Sequence, residues 1–258
     1  MPGPILIFDS GVGGLSVVAE LRRQLPGAAL TYVCDNAMLP YGTRPDAWLV
    51  ARILAVCEAA VTASGCAVLI VACNTASTLA LDALRARLSV PVVGTVPAIK
   101  PAARLSRNRH VALLATSATV VRPYTERLIR DFASDCRVER VAADGLVVQA
   151  ERRVAGETVD ESAIRAALAP LWRSPTLDTL VLGCTHFPLL HREIAESAPW
   201  PVTLVDSSSA IARRTGQVVG DTAQRHAEDA SLATAPDARL ARGLARFGFA
   251  EPRLLPVG

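Results

Sequence analysis

Lysine is almost missing from this sequence: Lys100 is the single one in 258 residues. An enzyme using pyridoxal phosphate holds its cofactor on a lysine Schiff base. That chemistry would rest here on one side chain in a proline-flanked segment, and no cofactor is expected. Aromatic residues are scarce at 4%, and the arginines are scattered along helical stretches. A nucleic-acid surface needs a basic stripe, so no nucleic-acid partner is expected. None of the six cysteines (Cys34, Cys57, Cys66, Cys73, Cys136, Cys184) forms a CxxC pair. No apolar run approaches the roughly 18 residues of a membrane span, so no membrane association is expected. Met1-Pro2-Gly3-Pro4 runs straight into an apolar strand without a secretory pattern. The expectation is a reduced cytoplasm with free thiols.

What is present is a chain 51% hydrophobic with a net charge of only +3. Its length suits two modest domains, each with a sizeable core. Two stretches stand out: Val68-Leu-Ile-Val-Ala-Cys73-Asn74-Thr75 and Thr179-Leu-Val-Leu-Gly-Cys184-Thr185-His186. Each is a short apolar run, a small residue, a cysteine and two polar residues. Such a run reads as a buried strand of a parallel sheet. Ligands of open α/β sheets bind outside the carboxyl ends of strands, where both thiols would sit. A buried cysteine is ordinarily a small core hydrophobe, and that reading holds for Cys34, Cys57, Cys66 and Cys136. The polar residues after the strand, in both copies, set Cys73 and Cys184 apart.

The rest of the chain alternates in the manner of a doubly wound sheet. Strands are expected at 5–8, 30–34, 68–72, 91–94, 110–115, 138–142, 179–183 and 201–205. Helices are expected at 15–25, 46–63, 76–88, 123–133, 160–172 and 188–197. The tail reads as a long helix, a polar stretch and a second helix at 236–247. Residues 144–158 are ambiguous, with a short helix around 146–153. Val96-Pro97 to Pro101 marks a crossing point between domains. Asp9-Ser-Gly-Val-Gly-Gly14 lies between the first strand and helix, but Ser16 stands where a third GxGxxG glycine belongs, and no Gly-Lys-Ser/Thr follows. The turn reads either as an anion site at a helix N-terminus or as a bend needing glycine conformations.

Two strand–thiol–helix units, one per half, imply two similar doubly wound α/β domains. Their parallel sheets would be related by a pseudo-twofold, with the active site in the interdomain cleft. Two thiols would then flank one ligand from opposite faces. Inverting a stereocentre by proton transfer needs that arrangement: a base on one side and an acid on the other. An unperturbed thiol pKa near ~8.5 leaves both forms accessible. Asp9 and His186 fit as orienters, Asp9 accepting from the Cys73 thiol. Ser10, Asn74, Thr75 and Thr185 supply donors for a carboxylate. Cys184, His186 and His191 lack a convincing fourth ligand for zinc, and no metal is expected.

Several motifs in order carry a resemblance: Phe8-Asp-Ser-Gly-Val-Gly-Gly-Leu-Ser16, Asp35-Asn36-Ala37 with Pro40-Tyr41-Gly42, Ala72-Cys-Asn-Thr-Ala-Ser77, Pro91-Val-Val-Gly94 with Lys100-Pro-Ala102, Leu114-Ala-Thr116 with Ala118-Thr-Val120, and Leu182-Gly-Cys-Thr-His-Phe-Pro-Leu-Leu190. Across nearly the whole chain the sequence resembles the bacterial glutamate racemases, cofactor-independent enzymes that make D-glutamate for peptidoglycan. The resemblance implies domains at 1–96 plus 210–258 and at 97–209, the tail returning to the first, and a homodimer. It implies Cys73 and Cys184 as the acid/base pair, Cys73 acting on D-glutamate and Cys184 on L-glutamate, supported by Asp9 and His186. It implies a substrate site of Asp9, Ser10, Tyr41, Gly42, Asn74, Thr75, Thr116, Thr119, Thr185 and His186. Glu151 matches a family glutamate, although the Cys-Pro that usually leads to it is absent from the segment starting Ala143-Asp144. Phe187 replaces a tyrosine. The alternatives are a racemase of aspartate or a related acidic substrate, and a non-catalytic amino-acid-binding protein of the same fold.

Overall fold

The computed structural model describes residues 3–41, 44–220 and 228–257. Its centre is a pair of parallel sheets. The first half begins with β1 (Ile5–Asp9), α1 (Leu15–Gln24), β2 (Leu30–Cys34), α2 (Asp46–Ser64), β3 (Val68–Val71), α3 (Asn74–Arg87) and β4 (Val92–Gly94). The second comprises α4 (Ile99–Leu105), β5 (His110–Ala115), α5 (Ser117–Val120), α6 (Pro123–Phe132), β6 (Arg137–Ala142), α7 (Gly145–Val154), α8 (Glu161–Leu168), β7 (Thr179–Leu182), α9 (His191–Ser197) and β8 (Thr203–Val205). The tail adds α10 (Ser208–Val219), β9 (Ala230–Ala233), α11 (Ala238–Arg246) and β10 (Arg253–Leu254).

The first sheet runs β10-β9-β2-β1-β3-β4 and the second β6-β5-β7-β8, with every pairing parallel. The order 2-1-3-4 of the first half thus recurs as 6-5-7-8 in the second. This repeat puts the two thiols at equivalent places, after β3 and after β7. In each half the chain moves outward on both sides of the first strand, leaving a crevice at the strand ends, where such sheets bind ligands.

Burial on both faces explains why these strands read as unbroken apolar runs. Successive side chains point to opposite faces. Ile5 and Ile7 pack with α1, α10 and α11, whereas Leu6 and Phe8 pack with α2 and α3. In the second sheet, Leu114, Leu180 and Leu182 meet α7, α8 and α9, while Val111, Leu113 and Val181 meet α4 and α6.

Some sequence expectations shift. Helix α3 starts at Asn74, directly after Cys73, so the thiol occupies the helix N-cap. Pro97–Pro101 does not simply cross over: α4 begins within it, because Pro101 falls in the first turn, where its missing N–H breaks no helical bond. Helix α5 and the tail strands β9 and β10 were absent from the sequence reading. Helix α2 also departs from expectation, since its length and composition would let it cross a membrane. Its Leu49, Ile53, Val56, Cys57 and Ala60 are instead fully buried on the first sheet. Arg52 pairs with Asp35 and Glu58 with Arg87. Trp48 is exposed, and Leu49 takes the core position.

Candidate active site

Cys73 and Cys184 line one cavity between the two sheets, together with Ser10, Leu39, Pro40, Tyr41, Asn74, Thr75, Thr116, Thr119, Val147, Thr185 and His186. Sequence reasoning had not singled out Leu39, Pro40 or Val147 as site residues. Leu39 adjoins the flagged Pro40 loop, and Val147 lies in the ambiguous segment that folds as α7. Gly42 lies outside the described residues. Asp9 is fully buried beneath the cavity. The cavity measures about 40 Å³, room for about one water (each has a ~30 Å³ share of liquid volume). A larger one of about 430 Å³ adjoins it, sharing Leu39, Pro40, Thr116 and Val147 but neither thiol.

The surroundings of the two thiols differ. Cys73 Sγ lies 3.6 Å from Ser10 Oγ and caps a helix N-terminus, where the dipole favours a thiolate. Burial and then the Asp9 carboxylate oppose this and push the Cys73 thiol up to about 12. Cys184 instead has an imidazole partner, His186 Nδ1, at 3.8 Å. The other ring nitrogen, Nε2, lies 2.7 Å from Glu151 Oε1. Burial works against an imidazolium at His186, but hydrogen bonds to Cys184 and Glu151 outweigh it and raise its pKa well above the ordinary value.

Asp9 does not take the role expected of it toward Cys73. Its Oδ2 accepts from Thr185 Oγ1 at 3.1 Å and its Oδ1 from the Gly11 N–H at 2.8 Å. It therefore links the first-sheet turn to the second-sheet thiol loop, and Ser10 is the Cys73 neighbour. Burial raises the Asp9 carboxyl above the usual range despite the pull of His186. Tyr41 lines the cavity, but its hydroxyl donates to Asp35 Oδ2 at 2.6 Å. Asp35 also binds Arg52 through both carboxylate oxygens and accepts from Thr234. Thr116 and Thr119 pair through their hydroxyls at 3.1 Å. Asn74 Oδ1 is buried without a partner.

The glycine turn holds an anion, and its glycines are not there for unusual backbone conformations. Gly11, Gly13 and Gly14 do not have positive φ; they are needed for room. A Cβ at Gly11 would lie 2.3 Å from Glu151 Oε1, and one at Gly13 would lie 2.5 Å from both His186 Nδ1 and Thr185 Oγ1. The anion at this turn is the chain's own: Val12 N–H donates to Glu151 Oε1 at 2.9 Å. Among the described residues, no group of three or more His, Cys, Asp or Glu is arranged to hold a metal ion.

The sequence pattern of Asp/Glu/hydantoin racemases matches residues 10–215. The chain belongs to this racemase family. Among its members, the glutamate racemase of Shewanella piezotolerans is 50% identical over 214 residues, 83% of this chain and 80% of that protein. The crystal structure of Escherichia coli glutamate racemase with L-glutamate and the activator UDP-MurNAc-Ala superposes with a TM-score of 0.94 at 43% identity, covering 100% of both chains. Glutamate racemase from Thermus thermophilus, in complex with β-chloro-D-alanine, gives 0.79 at 32% identity, covering 98% of this chain and 96% of that one. The racemase-family match spans both strand–thiol motifs.

Proposed function

We propose that this chain interconverts L- and D-glutamate without a cofactor, Cys73 and Cys184 exchanging the α-proton from opposite faces of the substrate. The carrying observation is that both thiols, from equivalent strand ends of a duplicated topology, line one cavity. A non-catalytic binding protein would need neither. On this reading Cys73 is the base that takes the α-proton of D-glutamate while Cys184 delivers one on the other side. The roles reverse for L-glutamate, with His186, held by Glu151, moving the proton at Cys184.

The cavity lining contains no lysine or arginine. Substrate carboxylates would therefore be held by Ser10, Thr75, Thr116, Thr119 and Thr185 and by main-chain N–H groups. Such fixed donors stabilise the charge that develops when the α-proton leaves. Asn74 Oδ1, buried and unpaired, would accept from the substrate ammonium, and Asp9 would supply the opposing charge. Gly42 belongs to this set by resemblance alone. Tyr41, its hydroxyl committed to Asp35, would contribute ring surface.

The reading extends to a cytoplasmic homodimer making D-glutamate for cell-wall peptidoglycan. Its domains would be 1–96 plus 210–258 and 97–209. The pairing of β9 with β2 supports assigning the tail to the first domain. The purified protein, with no cofactor added, should change the circular dichroism of L-glutamate toward the racemate and act far more slowly on L-aspartate. Lys100 stacks over Phe132 at 4.8 Å and is absent from the cavity lining, so Lys100→Ala should remain active. Preference for aspartate would favour the alternative substrate. Loss of activity in folded Lys100→Ala, together with restoration of dialysed wild type by pyridoxal phosphate, would overturn the mechanism.

A further inference from the structure

The thiol-lined cavity is narrow, and its walls come from both halves of the chain. Two contacts between the halves lie at the glycine turn: Thr185 with Asp9, and the Val12 N–H with Glu151. A third joins different segments. Arg122 Nη1 and Nη2 donate to Asp46 Oδ2 and Oδ1 at 2.9 and 3.0 Å. Arg122 stands at the N-cap of α6, three residues after Thr119. Asp46 is the first residue of α2, five residues after Tyr41. The pair thus bridges the Thr116–Thr119 turn of one half and the loop through Leu39–Tyr41 of the other, and both segments line the cavity.

The Arg122 end is fixed. Its side chain is only 14% exposed, against 60% for Asp46, and its N–H donates to the Thr119 carbonyl. Thr125 Oγ1 donates to that same carbonyl at 2.7 Å. A two-pronged guanidinium–carboxylate contact sets orientation as well as distance. The Arg122 hydrogen bonds keep the Asp46 carboxyl below its ordinary range, so the pair stays charged at neutral pH.

We propose that Arg122 and Asp46 are positioning residues for substrate binding, their ion pair holding the Thr116–Thr119 turn and the Leu39–Tyr41 loop in the closed arrangement around the substrate. The role rests on the racemase reading above, and neither side chain touches the reacting atoms. Losing the pair weakens closure equally for both enantiomers. KM for L- and D-glutamate therefore rises by one common factor, while kcat, set by thiols the pair does not contact, holds.

The test compares wild type, Asp46→Asn, Arg122→Gln and the exchanged double variant Asp46→Arg/Arg122→Asp. Each single change should raise KM for both enantiomers about two- to fivefold, the range of partly exposed ion pairs, with kcat within about twofold. The exchange should bring KM back toward wild type. A merely structural pair would lower the melting temperature and the active fraction without moving KM. Iodoacetamide labelling of substrate-free protein gives a readout independent of turnover: Cys73 and Cys184 should react faster in both single variants than in wild type. Unchanged KM in an active wild-type background, KM changes that the exchange does not reverse, or unchanged labelling would each overturn the proposal. Failure of the wild type to racemise glutamate counts against the functional reading instead, and the labelling result still decides the role of the pair in closure.

Discussion

His186 Nε2 lies 2.7 Å from Glu151 Oε1, and the same oxygen accepts the Val12 N–H. One carboxylate therefore orients the imidazole beside Cys184 and fastens α7 to the glycine turn of the other half. The sequence offered Glu151 only by resemblance, through a segment lacking the usual Cys-Pro. The structure supplies a physical reason for it: the turn needs an anion and the imidazole needs an acceptor.

Glu151→Gln should slow proton transfer on the Cys184 side more than on the Cys73 side. Hydrogen bonds to charged groups contribute about 1.5–3 kcal/mol, roughly a ten- to hundredfold loss. Elimination of halide from a halogenated L-glutamate, which needs only Cys184, should fall by that factor, while elimination from the D-analogue should change little. Glu151 is one of the groups raising the His186 pKa. Its removal lowers that pKa, so the imidazolium is lost at lower pH and the alkaline limb of the L-side profile moves toward acid. Equal losses for both enantiomers would contradict this.

Gly13→Ala should impair catalysis without unfolding the protein. Its Cβ would fall 2.5 Å from His186 Nδ1 and Thr185 Oγ1, and the ring cannot retreat without breaking its bond to Glu151. At least a tenfold loss of kcat is expected, with unchanged far-ultraviolet circular dichroism. Wild-type turnover would mean that the His186 ring is not held as described.

Strands β1, β3, β5 and β7 were legible because burial on both faces leaves uninterrupted apolar runs. Both thiols were legible because polar residues follow those runs at once. Strand β9, Ala-Ser-Leu-Ala, and two-residue β10 carry too little apolar surface to announce themselves; their pairing with the first sheet comes from tertiary contact. Helix α4 was hidden by Pro97 and Pro101, although a proline in a first turn costs no hydrogen bond. The partners of Asp9 were not legible either, because Thr185 lies 176 residues away and local spacing cannot report it.

Alkaline conditions should destabilise the fold. Burial raises Cys34 and Cys57 well above the ordinary thiol range, raises Cys66, and puts Cys73 at about 12. Above pH ~8.5 the unfolded chain releases these protons while the folded chain keeps them. Fewer protons in the unfolded state make stability fall as pH rises; below the unfolded pKa the full stability is present. For fully buried Cys34 and Cys57 the loss by pH 10 is on the order of 1–2 kcal/mol each. The melting temperature should drop between pH 7.5 and 10, less steeply in Cys57→Ala. A flat profile over that window would contradict the burial of these thiols.

The most direct test of the two-thiol account is halide elimination from halogenated L- and D-glutamate by the single variants Cys73→Ser and Cys184→Ser. Racemisation needs a group on each face, and a hydroxyl is far too weak an acid to replace a thiol, so neither variant should racemise glutamate. Elimination needs one base to take the α-proton before halide leaves. Cys73→Ser should eliminate from the L-analogue through Cys184, and Cys184→Ser from the D-analogue through Cys73. A variant that racemises near the wild-type rate, or two variants with the same enantiomer preference, would contradict the account.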